Sequence, residues 1–273
     1  MGFFSRKKRI DKRVKKYNGG EFGGGKRPAK ALPSNFVSAI VPAAGSSARM
    51  GGTDKLTARL LDKPLLAHTL LALQNSGDIT EIVVAARAEE LESVAELCRE
   101  YGVTKASKII AGGATRAQSV LNALIACDPR SRIAAIHDGA RPCVSRRVIS
   151  ETVALAKKTG AAAPAIALTD TLKELAPDGK TVKSTPDRKN FVRIQTPQCF
   201  YTQLVKAALT RAIENGESPT DDCAAVEALG VEVWLSKGEA ENFKVTLPGD
   251  IALAETVLGG RYAEQHTADR SGL

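Results

Sequence analysis

Residues 40–56 read IVPAAGSSARMGGTDKL, and the rest of the chain is organised around this stretch. An apolar run from Phe36 to Ala44 has the length and composition of a buried strand. It gives way to Ala43, Ala44, Gly45, Ser46 and Ser47, then Arg49, the pair Gly51–Gly52, and Lys55. Small side chains let backbone N–H groups approach an anion, and two cations six positions apart can flank it. The stretch therefore has the chemistry of a phosphate cradle. It contains neither the G-x-x-x-x-G-K-[ST] of a Walker loop nor the G-x-G-x-x-G of a dinucleotide fingerprint. The competing reading is a strand that ends in a plain glycine loop.

Outward from this strand the pattern repeats as strand then helix. Strands are predicted over 36–43, 81–86, 108–111, 132–137 and 160–168. Helices are predicted over 64–74, 88–101, 115–126 and 145–158, with Ser145 as an N-cap. Near-continuous apolar strands alternating with helices predict an α/β fold, a mostly parallel sheet flanked by helices. Ligands of such sheets bind beyond the carboxyl ends of the strands. The three most unusual loops, 43–55, 112–116 and 137–142, all follow strands and are expected to gather at one edge. After Leu168 the rhythm changes. Short β-prone pieces surround the turn Pro177-Asp178-Gly179, so a protruding β-arm is predicted over about 172–193. Helices over 203–215 and 221–229, a strand over 231–235 and a helix over 250–258 complete the domain, 31–260. Residues 261–273 read as a loose tail.

Apolar content of 43% and charged content of 25% are those of an ordinary globular protein. The formal charge of +9 lies in the first thirty residues, which hold eleven Lys and Arg against two acids; the remainder holds 28 of each sign. The body is neutral, and DNA is not an expected partner. Residues 1–30 read as a flexible, Gly-rich basic tail of unknown partner, either touching anionic lipid or RNA or simply solvated. Five scattered cysteines without C-x-x-C spacing read as reduced, buried thiols and a cytoplasmic location. No apolar run is long enough to span a membrane, no secretory h-region is present, and Arg6 breaks a myristoylation motif at Gly2.

The residues suited to chemistry are cations, glycines, hydroxyls and a few acids. Arg49 and Lys55 can neutralise a polyphosphate and the extra charge of a transition state. Asp138 and Arg141 lie in HDGARP at a strand's carboxyl end. There the acid can hold a ribose hydroxyl or Mg²⁺, which commonly takes one or two carboxylates plus substrate phosphates; a loop salt bridge is the alternative. His137 reads as a packed residue rather than a general base. GGATRAQSV (112–120) offers glycine backbone, Arg116 and Ser119 at a helix start, with helix capping by Thr115 as the plainer reading. Asp221 and Asp222 read as acids favoured by a helix dipole. No Ser sits in G-x-S-x-G and no Cys has an obvious His partner. This inventory suits phosphoryl or nucleotidyl transfer, where positioning and electrostatics do most of the work.

The motifs VPAAGSSARM with Lys55, GGATRAQSV, HDGARPCV, LTDTLK, PDRKNFVRIQTPQCF, PTDDCAAVE and ENFKVTLPGD occur in this order from about Ser38 to Leu258. In that order they resemble the 2-C-methyl-D-erythritol 4-phosphate cytidylyltransferase family. The resemblance implies a Rossmann-like nucleotidyltransferase fold, a homodimer built through the β-arm, and Mg²⁺-dependent transfer of CMP from CTP to a sugar-alcohol phosphate. It implies that Arg49 and Lys55 stabilise the transition state, and that Ala43, Ala44, Gly45, Gly113 and Ser119 hold the nucleotide. Asp138 would lie at the ribose or metal. Arg188, Lys244, Thr171, Thr196 and Arg141 would serve the acceptor, with Thr171 and Arg188 lent to the neighbouring subunit. The chain departs from the family pattern at Ala114, Pro186 and Glu241. A ribitol-5-phosphate cytidylyltransferase shares the nucleotide half, and a non-catalytic nucleotide- or RNA-binding protein is the alternative of another class.

Overall fold

The computed structural model describes residues 35–45 and 58–271. The basic tail 1–30, Arg49 and Lys55 lie outside the described residues.

Strand β1 (Val37–Pro42) lies at the centre of the main sheet, with β4 (Glu81–Ala86) on one side and β6 (Ile133–Ile136) on the other, both parallel to it. Strand β5 (Ala106–Ala111) extends the sheet beyond β4 in the same direction. On the far side, β11 (Gln198–Tyr201) runs antiparallel to β6 and to β7 (Ala161–Ala167). Strand β10 (Val192–Ile194) precedes β11 and pairs antiparallel with the distal half of β7, while β12 (Trp234–Lys237) lies parallel to β7. The predicted mostly parallel sheet is observed, β10 and β11 being its antiparallel members.

Side-chain alternation explains why the central strands β1, β4 and β6 are almost wholly apolar. Val37, Ala39, Val41, Ile82, Val84, Ile133 and Ala135 enter one core. Ile40, Val83, Ala85, Ala134 and Ile136 enter the other. A strand buried on both faces tolerates polar residues only in pairs, as where the Ser38 hydroxyl donates to the Glu81 carboxylate at 2.6 Å. The first core is covered by α1 (Leu65–Gln74), α2 (Leu91–Glu100), α4 (Arg146–Thr159) and α7 (Gly249–Ser271). The second is covered by α3 (Arg116–Ala126), α5 (Thr202–Glu214) and α6 (Asp222–Glu227). Thr115 and Ser145 cap α3 and α4 as expected, each accepting from a backbone N–H three residues on.

Three expectations are corrected. The arm is a small hairpin of β8 (Glu174–Leu175) and β9 (Val182–Ser184), but its predicted last residues, Val192 and Arg193, belong to the main sheet. Strand β12 begins three residues later than predicted, at Trp234. The last helix does not stop at Leu258; α7 continues through Gly259–Gly260 to Ser271. Tertiary contacts offset the helix-weakening glycines. Arg261 donates to the Cys143 carbonyl at 2.8 Å, and the Tyr262 hydroxyl lies 3.5 Å from His68 Nδ1. The hairpin β2 (Arg59–Leu60) and β3 (Lys63–Pro64) also meets α7, where the Leu61 N–H donates to Glu255 at 2.9 Å. Among the described residues no helix is long and apolar enough to cross a membrane. All five cysteines are unpaired and buried.

Candidate active site

From β1 the chain order runs outward to β4 and β5, then returns to β6 on the other side. This reversal opens a crevice at the carboxyl ends of β1 and β6. A cavity of about 360 Å³ lies there. Its wall is formed by Ala43, Ala44 and Gly45 after β1, Gly113 to Arg116 after β5, Asp138 to Ala140 after β6, and Lys244. The described residues of the three loops gather as their positions after parallel strands predicted.

The glycines of the second loop are required by space. A Cβ on Gly112 would stand 2.7 Å from Ala44 Cβ and 2.8 Å from Ser119 Oγ, and one on Gly113 would collide with the Gln118 side chain. The Gly113 N–H donates to Ser119 Oγ at 2.9 Å, and that hydroxyl donates to the Thr115 carbonyl at 2.9 Å. Ser119 therefore fixes the loop's backbone from inside the wall.

Asp138 is the electrostatic centre. Its Oδ2 lies 3.1 Å from Lys244 Nζ and 3.3 Å from Arg141 Nε; its Oδ1 lies 3.5 Å from Arg116. Burial alone would raise this carboxyl, but Lys244, Arg116 and Arg141 together outweigh it and hold Asp138 well below the usual carboxylate range. Lys244 reaches Asp138 because its segment is laced to the HDGARP loop. Val245 N–H donates to the Ala140 carbonyl at 2.9 Å, Arg141 donates to the Asn242 carbonyl at 2.7 Å, and Asn242 Nδ2 donates to the Thr196 carbonyl at 2.8 Å.

Thr196, expected at the acceptor pocket, is buried, and its hydroxyl faces inward. It accepts from the Asp138 N–H at 3.2 Å and lies 2.9 Å from His137 Nδ1. His137 is fully buried, as its packed reading implied. Its Nε2 pairs with the Arg141 carbonyl at 3.2 Å, and burial pushes its pKa down to about 4. Since a carbonyl only accepts, Nε2 carries the proton and Nδ1 accepts from Thr196. Thr196 thus braces Asp138. Arg141 also stands behind Asp138 rather than in the cavity wall. Thr171 and Arg188 lie on the exposed arm, where Arg188 donates to the Thr169 carbonyl, and neither lines the cavity.

Two residues read separately in the sequence, Arg116 at a helix start and Asp222 as an acid favoured by a helix dipole, are partners. Arg116 enters the cavity wall and donates to Asp222 Oδ2 at 2.7 Å. Asp222 is buried against it, while the neighbouring Asp221 caps α6 by accepting from the Ala224 N–H at 2.8 Å. The sequence signals were Arg116 within GGATRAQSV and the adjacent acids Asp221–Asp222, with nothing to pair them.

A mostly parallel sheet between helices, with a cavity at its carboxyl edge walled by small residues, Asp138, Arg116 and Lys244, is the arrangement of an α/β nucleotidyltransferase. Comparison with known proteins narrows the class. The family model of 2-C-methyl-D-erythritol 4-phosphate cytidylyltransferase matches residues 37–260. The chain belongs to this family. The enzyme of that name from Dehalococcoides mccartyi is 40% identical over 223 residues, covering 81% of this chain and 96% of the relative. Its counterpart from Halalkalibacterium halodurans is 39% identical over 222 residues, covering 81% and 96%. Among solved structures, 4-diphosphocytidyl-2C-methyl-D-erythritol synthase from Anaerococcus prevotii superposes with a TM-score of 0.73 at 29% identity, covering 83% of this chain and all of the other. The 2-C-methyl-D-erythritol 4-phosphate cytidylyltransferase of Thermus thermophilus gives a TM-score of 0.67 at 34% identity, covering 81% and 97%.

Proposed function

We propose that this protein transfers CMP from CTP to 2-C-methyl-D-erythritol 4-phosphate, giving 4-diphosphocytidyl-2-C-methyl-D-erythritol and pyrophosphate in non-mevalonate isoprenoid precursor synthesis. An oxygen of the acceptor phosphate attacks the α-phosphorus of CTP. The new O–P bond forms as the bond to the β-phosphate oxygen breaks, and that electron pair leaves with pyrophosphate. An ionised phosphate needs no general base. The observation that carries the reading is the convergence of 43–45, 113–116, 138–140 and Lys244 on one cavity in a chain of this family.

Within this reading Ala43, Ala44, Gly45, Gly113 and Ser119 hold the nucleotide, and Asp138 faces the ribose. Lys244 and Arg188 meet the acceptor's phosphate, and Thr171 completes that pocket. Arg49 and Lys55 take the charge that develops at the α-phosphorus. Mg²⁺ is the expected cofactor. Among the described residues no three His, Cys, Asp or Glu groups cluster as a ligand set. A single ionised carboxylate, Asp138, fits an ion held mainly by substrate phosphates. When bound, that ion would neutralise phosphate charge.

The arm supports a homodimer. Leu175 and Val182 on its strands are 57% and 56% exposed, and Phe191 and Val192 at its base are 42% and 44% exposed. A lone two-stranded hairpin is marginal in water, so this apolar surface calls for cover by a second copy. Five buried free thiols suit a cytoplasmic, reducing setting.

Pyrophosphate release from CTP and Mg²⁺ with each acceptor tests the assignment. Turnover on methylerythritol phosphate well above that on ribitol 5-phosphate is expected. The reverse order would reassign the acceptor, and no release with either would overturn the reading.

A further inference from the structure

Helix α6 begins on a carboxylate whose position helix formation does not explain. Asp222 is fully buried. Its backbone N–H and that of Cys223 both donate to Gln198 Oε1 at 3.1 Å, and Gln198 Nε2 donates to Asp221 at 2.8 Å. The start of α6 is thereby pinned to β11. The Asp222 side chain then points at Arg116, with Oδ2 accepting at 2.7 Å and Oδ1 unpartnered among the described residues. A buried carboxylate with an idle oxygen is costly to fold, and an apolar residue there would be cheaper. Capping is already done by Asp221. What Asp222 accomplishes is seen in its partner.

We infer that Asp222 is a positioning residue for nucleotide binding, drawing the Arg116 guanidinium back from Asp138 and fixing it in the cavity wall. The same Arg116 nitrogen lies 2.7 Å from Asp222 but 3.5 Å from Asp138. Asp138 already has Lys244 and Arg141 on its other oxygen. Without the charge of Asp222, Arg116 would have Asp138 as its nearest counter-charge and would close on it. Three cations would then enclose the carboxylate, leaving Oδ1 no room to accept from a ribose hydroxyl. The planar guanidinium suits this bridging between two acids; a lysine ammonium pairs with one.

The inference rests on the CTP reading above. Calorimetric titration of the full chain with CTP, without acceptor, tests it. Asp222→Asn, which keeps the shape and removes the charge, is expected to weaken CTP binding about tenfold, the scale of one charge-assisted contact. The acceptor KM should move by less than about twofold, a split that general destabilisation would not produce. In an Arg116→Met background the same Asp222→Asn change should alter CTP affinity by less than about twofold. Wild-type affinity in Asp222→Asn, or an equal loss in both backgrounds, would overturn the inference while leaving the CTP reading intact. If Asp222→Asn does not fold, Arg116→Lys carries the test, with the same loss expected and wild-type affinity overturning it. A wild-type chain that fails to bind CTP would overturn both.

Discussion

Lys244 Nζ lies 3.1 Å from Asp138 Oδ2, although the two residues come from distant segments joined only by folding. The pair is fixed from both sides: the Lys244 segment by Val245 and Asn242, and Asp138 by Thr196. Lys244 is the more exposed partner, with about a third of its side chain open. It can therefore leave the pair to meet a phosphate while Asp138 stays held. Lys244→Met is expected to lower kcat/KM by about 10²–10³, the usual cost of a preorganised donor. Asp138→Asn should cost a similar amount. The double variant should lose less than the product of the two, because the residues act together. Full multiplicativity in steady-state assays would show that the contact is incidental.

Thr196 supports the site without lining it. Thr196→Val keeps the volume but leaves the Asp138 N–H and His137 Nδ1 without their partner. Two buried polar groups so stranded should cost about 1–3 kcal/mol of stability each, read from denaturant midpoints. Thr196→Ser, which keeps the hydroxyl, should restore most of it. A valine variant as stable as the wild type would show that these bonds contribute nothing net.

The difference between what could be read beforehand and what could not is physical. Ile82–Ala86 is continuously apolar because both faces are buried, so its strand was legible residue by residue. The caps Thr115 and Ser145 were legible because capping is local chemistry, decided within four residues. The gathering of three loops followed from parallel topology alone. Asp222 was not legible: an acid at a helix start looks the same whether it serves the dipole or an arginine 106 residues away. The continuation of α7 was missed because Gly259–Gly260 reads as a stop, and the contacts that override it, Arg261 to Cys143 and Tyr262 near His68, are tertiary. Thr196 was placed by resemblance alone, and the partners its hydroxyl finds, the Asp138 N–H and His137 Nδ1, are set by tertiary contacts that no local pattern announces.

The two buried histidines set a pH dependence of stability. His68 Nε2 donates to the Leu60 carbonyl at 2.9 Å, and burial, only partly offset by that bond, lowers its pKa. His137 is pushed down to about 4 by its burial. In the unfolded chain both take a proton near pH 6.5, about the ordinary value. The folded state thus binds fewer protons below that point, and stability falls as pH drops. The contribution is whole above about pH 6.5 and is lost progressively towards pH 4. Urea midpoints should therefore be higher at about pH 7.5 than at about pH 5. His68→Gln, whose amide can still donate to Leu60, should show a shallower decline. An unchanged slope would remove His68 from the account.

The arm makes the sharpest prediction about assembly. Thr171 and Arg188 are absent from the cavity of their own chain, and the arm exposes Leu175 and Val182. If the arm completes the neighbour's site, Lys55 and Arg188 of one working site belong to different chains. Lys55→Ala and Arg188→Ala homodimers would then each be inactive, with folds intact. Mixed and allowed to exchange subunits, half of the dimers become hybrids. Each hybrid has one site carrying both changes and one carrying neither. Equal mixing should therefore restore about a quarter of the wild-type turnover, since a two-fold assembly distributes the lesions in this way. If both residues instead serve the site of their own chain, every site in the mixture carries a lesion and turnover stays at the level of the parents. With dimers in the mixture checked by size-exclusion chromatography, absence of recovery in an exchanging dimer would return Arg188 to its own chain's site or remove it from the site altogether.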